Sequence, residues 1–104
     1  MLLRRLVSGS DAGDFEAELM DKVERLYSLV NRIRFFRDLK MDNEVSSLSL
    51  EMEKLRTSLL LSEDEVEKLA DELDEYYISG ASTHGDTDPL TYWTLYIKDK
   101  LSKK

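Results

Sequence analysis

The 104-residue sequence has no cysteine, one proline (Pro89), one histidine (His84) and four glycines. Without cysteine there is no disulfide, no thiol nucleophile and no thiolate zinc site. That usage fits a reducing compartment and sets the expectation of an intracellular, cytoplasmic protein. Glycine and proline are missing altogether from residues 14–79, which removes the residues that punctuate β-rich folds. No apolar run approaches the roughly 18–20 residues that cross a bilayer, so no membrane span is expected. Positive charge is in deficit as well, with a formal net charge of −7. A negative chain is repelled by phosphate backbones, and direct nucleic-acid binding is not expected.

What is present is charge and aliphatic side chains. The chain is 41% hydrophobic and 36% charged, and the charged share is well above the usual quarter. Together they predict helices that each bury one stripe and solvate the rest. A chain of this length holds one core. The expected division is a flexible N-terminal arm, residues 1–13, followed by a single α-helical domain, residues 14–104. Residues 1–10 mix basic and apolar side chains with no acid before Asp11, in the manner of a short organelle-targeting leader. The segment lacks a long apolar stretch, which favours a loosely docked arm over a leader.

Phe15, Leu19, Val23, Leu26, Val30 and Ile33 recur every three or four residues, the stripe of an amphipathic helix over about 14–41. Asp11 or Asp14 can cap it. Its acids lie mainly in the first half and its arginines mainly in the second, which suits the helix macrodipole. Val45, Leu48, Met52, Leu55 and Leu59 then form an a/d seam for a second helix, about 45–61. Asp42-Asn43, good caps and poor helix interiors, lie between the two stripes and predict a turn there. The competing arrangement is one continuous helix over 14–61, about 72 Å long at ~1.5 Å per residue. The cap residues favour the hairpin.

Ser62-Glu63-Asp64-Glu65 has the S-x-x-E form of a capping box and predicts a third helix over about 62–78, ending before Gly80. Its buried face is Val66, Leu69, Leu73 and Tyr76 or Tyr77. After a loop, Asp88-Pro89 supplies a capping acid and a proline at the first helical position of a fourth helix, about 88–101. The predicted fold is all-α: a long antiparallel, coiled-coil-like helical hairpin with two shorter helices, forming a small bundle.

The pattern offers little for catalysis, and no cofactor or metal is expected. Residues 62–78 hold eight acids against Lys68 alone, but the acids spread around the outward surface of the helix instead of converging. His84, Asp86 and Asp88 alternate along a loop with no further ligand identified, which makes a poor preorganised metal site. A plain turn accounts for them.

Spare apolar faces are more informative. Phe35, Phe36 and Leu39 fall outside the main stripe of the first helix, beside Arg34 and Arg37. In the fourth helix, Tyr92, Leu95 and Tyr96 point away from the expected core face of Leu90, Trp93, Ile97 and Leu101. Aromatics near arginine are favoured interface anchors, so these six residues are the expected partner-binding positions. Packing inside a bundle is the alternative use for them. The expected function is a non-catalytic helical interaction module, an adaptor or accessory subunit with protein partners, a homo-oligomer among them. The alternative is an acidic inhibitor that imitates nucleic acid through Asp64, Glu67, Asp71 and Glu75. Leu26-Tyr27, with Arg32, Arg34, Phe35 and Phe36 following, faintly resembles the LYR-motif assembly factors of mitochondria. Ser28 stands where that motif has its arginine, so no role is carried over.

Overall fold

The structure, a computed structural model, describes residues 8–103, with side chains from residue 15 onward. The described residues form four helices and no strand: α1 (Ser8–Asp38), α2 (Asp42–Ser58), α3 (Glu63–Ser79) and α4 (Pro89–Ser102). The fold is an all-α helical bundle. α1 has 31 residues, about 46 Å at ~1.5 Å per residue, and accounts for the 48 Å long axis of the molecule.

The helix ends follow from local chemistry. α1 closes where Lys40 takes a positive φ of 60°. There Met41 N–H donates to Phe36 O at 2.9 Å and Lys40 N–H to Arg37 O at 3.0 Å, the bonding of a Schellman motif. The break therefore comes at residues 39–41, ahead of the expected Asp42-Asn43. Asp42 begins α2 itself, and the N-cap, Met41, makes no side-chain cap bond. α2 ends the same way, with Leu60 at φ 59° and Leu61 N–H donating to Arg56 O at 3.2 Å. This turn is pinned twice more. Arg56 Nη1 donates to Leu61 O at 2.7 Å, and Lys100 Nζ donates to Leu60 O at 3.0 Å.

At the other end, α1 starts at Ser8, so the backbone of residues 8–13 is helical where a flexible arm was expected. Glycines weaken a helix but do not block one that a strong stripe extends. Residues 1–7 of that arm lie outside the described residues. The Ser62–Glu65 capping box is formed in both directions, and Gly80 closes α3 at φ 76°. Asp88 caps α4 by accepting from Thr91 N–H at 2.8 Å.

The core lies where α1, α3 and α4 meet. Leu19, Val23, Leu26 and Val30 of α1 pack with Val66, Leu69, Ala70 and Leu73 of α3, Trp93 and Ile97 of α4, and Leu59 and Leu61 from the α2–α3 link. Fully burying each such aliphatic side chain contributes about 1.5–3 kcal/mol. Burial begins at Leu19, whereas Phe15 remains 39% exposed. A stripe marks the face of a helix, not how far its covering helices extend.

α2 folds back along α1, with Arg25 facing Glu51 at 3.4 Å, consistent with the hairpin expectation. No residue within α2 is fully buried. Its seam residues Val45, Leu48, Met52 and Leu55 are only partly covered.

Candidate functional site

Near the end of α1, Ile33 is still buried, but the apolar side chains that follow it are largely open. Phe35 is 59% exposed and Leu39 55% exposed. Phe36 is half-buried and meets Phe35 edge-on, ring centroids 5.4 Å apart. Both phenylalanines line a shallow groove of about 660 Å³ between α1 and α2, together with Tyr27, Asn31, Arg32 and, from α2, Glu44 and Leu48. At one end Tyr27 carries the apolar surface toward α3. Its ring lies edge-on to Tyr77 at 5.4 Å, and its hydroxyl donates to Asp74 Oδ1 at 3.1 Å. Burial, with Asp74 acting in the same sense, holds the Tyr27 hydroxyl above its ordinary pKa, although the hydrogen bond with Asn31 acts the other way.

The structure thus brings Phe35 and Phe36 together in one groove, with Leu39 one turn beyond Phe35. Tyr27, Asn31, Arg32, Glu44 and Leu48 are not among the partner-binding positions expected from the sequence, although Leu48 belongs to the α2 seam and Tyr27 and Arg32 to the LYR-like segment. One signal was available, because Tyr27, Asn31, Phe35 and Leu39 recur every four residues and so share a face beside the main stripe.

The three positions on α4 separate. Leu95 is exposed, at 47%, and stands apart from the groove. Tyr92 and Tyr96 pack against the core and are engaged within the chain. His84 stacks on Tyr92 with ring centroids 3.6 Å apart and planes 7° from parallel. Its Nε2 hydrogen-bonds Glu72 Oε1 at 2.6 Å, and the same oxygen accepts from Trp93 Nε1–H at 2.8 Å. Glu72 therefore ties the loop after α3 to the buried indole of α4. The loop also holds itself together, since Ser82 Oγ donates to Thr87 O at 2.6 Å. His84 is an anchor of this loop, and the described residues contain no group of three His, Asp or Glu placed to hold a metal.

Tyr96 belongs to a second hub. Its hydroxyl donates to Glu65 Oε2, while Glu65 Oε1 accepts from Ser62 N–H at 2.8 Å and from Lys100 Nζ at 3.0 Å. Partial burial opposes ionisation of Glu65. The Tyr96 hydroxyl, the Ser62 amide and the Lys100 ammonium outweigh it and lower the pKa to about 2. Lys100 also lies over the Tyr96 ring, 4.9 Å from its centroid, a cation–π contact. A capping-box carboxylate thereby becomes the clamp between the start of α3 and the end of α4.

Asp64, Glu67, Asp71 and Glu75 are exposed on α3, but they do not form an uninterrupted acidic field. Arg34 of α1 pairs with Asp71 at 3.2 Å. Asp64 and Glu67 line a second groove, about 340 Å³, whose rim also carries Arg34, Arg37 and Arg56. No described helix is long and apolar enough to cross a membrane. Comparisons with known protein families, with curated proteins and with solved structures find no match to this chain.

Proposed function

We propose that this chain is a non-catalytic helical interaction module, acting through the groove face of α1 and α2 around Phe35, Phe36 and Leu39. The observation that carries this reading is the gathering of exposed Phe35 and Leu39 beside an apolar groove. Aromatic side chains left in water at the mouth of a groove are the usual anchors of protein interfaces. Tyr92 and Tyr96 are left out of the site because they already have partners within the chain. The acidic-inhibitor reading is weaker, since arginines intersperse the α3 carboxylates and dilute the field that mimicry needs.

The test is affinity capture with wild-type bait and with Phe35→Asp/Leu39→Asp bait, Leu95→Asp serving as the control on α4. The groove double variant should lose the captured partners and the control keep them. Because Phe35 and Leu39 are exposed, Phe35→Ser alone should change stability by no more than about 0.5 kcal/mol. Equal capture by wild type and the double variant would rule out this face as the site.

A further inference from the structure

We infer that the groove between α1 and α2 is a self-association surface whose occupant is the same face of a second copy of this chain. The inference rests on the proposed contact function and names the partner. Arg25 opposite Glu51 sets the register of the two helices. Seven residues further along α1 and seven back along α2 stand Arg32 and Glu44. Seven residues are close to two helical turns, so this pair repeats the position of the first. Yet no ion pair joins them, and neither has an ionic partner among the described residues. Instead both line the groove.

A groove with one cation on its α1 wall, one anion level with it on its α2 wall, and a largely apolar floor is self-complementary. A two-fold axis running along the groove lays α1 of each copy on α2 of the other. Arg32 of each then faces Glu44 of the other, so both pairs form at once, as an isologous contact requires. By the same register, Phe35 of each copy comes level with the exposed Met41 of the other, and Leu48 comes level with Ser28. A partner of single charge sign would meet a like charge on one wall, which disfavours a polybasic or polyacidic ligand.

From Tyr27 to Leu39 the face is about 18 Å long and two helices wide, at the small end of specific interfaces. Interfaces of that size are typical of weak, transient association.

Sedimentation equilibrium on the full chain, at up to about 100 µM, reads the outcome. Wild type should approach twice the 12.1 kDa chain mass. Arg32→Glu and Glu44→Arg each place like charges opposite one another at two symmetric contacts, and each should weaken the dimer by on the order of tenfold or more. An equimolar mixture of the two variants restores both opposite-charge pairs and should recover the dimer, which also shows that each variant is folded. A monomeric wild type overturns the inference, as do single variants that still dimerise normally or a mixture that stays monomeric. If wild type is monomeric but capture still depends on Phe35 and Leu39, only the second copy is wrong. If capture ignores those residues as well, the contact function falls with it.

Discussion

The two ends of α1 meet different surroundings although their apolar residues are similarly spaced. Around Val23 and Leu26 the helix is enclosed and both side chains are fully buried. Around Phe35 and Leu39 its principal neighbour is α2, no residue of which is itself buried. The enclosed part also holds the two carboxylate hubs, Glu65 and Glu72, each linking separate segments. The open part has no such clamp, and its polar pair, Arg32 and Glu44, is unspent. Stability and contact are thus divided along one helix: the body supplies the first and the two-helix end is free to supply the second.

The sharpest way to test this division is to cut into each part and compare the costs. Leu73→Ala, in the body, should cost about 2–5 kcal/mol, whereas Met52→Ala on α2 should cost roughly 1 kcal/mol. Urea denaturation measures both, and equal losses would erase the distinction. Next in size is Glu72→Ala. It leaves the buried Trp93 N–H without its acceptor, at about 1–3 kcal/mol, and frees His84, so the loop amides should also lose protection.

The Glu65 clamp should show itself through pH. Its folded pKa of about 2 lies below the ordinary 4.5, so its contribution is complete above about pH 4.5 and is lost as pH falls toward 2. The stability gap between wild type and Glu65→Gln should be widest near neutrality and close through that window. A gap independent of pH would mean that Glu65 acts without its charge. Smallest is the effect of Lys40→Gly. It relieves a left-handed conformation at the open end and should stabilise the fold by about 0.5–1 kcal/mol. A loss there would show that Lys40 makes a favourable contact.

The features legible in the sequence are those written in short-range patterns. Ser62 and Glu65 form their capping box, Asp88 and Pro89 start α4, and Val66, Leu69 and Leu73 face inward. The turn after α1 comes a few residues ahead of the Asp42-Asn43 pair that predicts it, because the chain reverses through a positive φ at Lys40. Composition gives no hint of that, since glycine is the residue that normally marks such a position. The inward use of Tyr92 and Tyr96 was not legible either. Their partners, His84 and Glu65, are 8 and 31 residues away, and a ring stack or hydrogen bond between separate segments leaves no periodic trace. The exposure of Phe35 and Leu39 is legible because both fall outside the stripe that α1 buries.

The two left-handed turns that bracket α2 have a consequence for motion. Lys40 and Leu60 each hold a non-glycine residue in a region that favours glycine, and between them no α2 side chain is fully buried. Leu59 and Leu61, just past its end, are locked into the core. α2 can therefore lift from α1 as a unit, hinged at the pinned Leu60 turn, uncovering only the side of the core against which Met52 and Leu55 pack. Its amides should exchange with deuterium through a sub-global opening, ahead of those of α3 and the middle of α1, which wait for complete unfolding. Anything seated in the groove would slow that exchange first, making the deuterium uptake of α2 a direct gauge of occupancy.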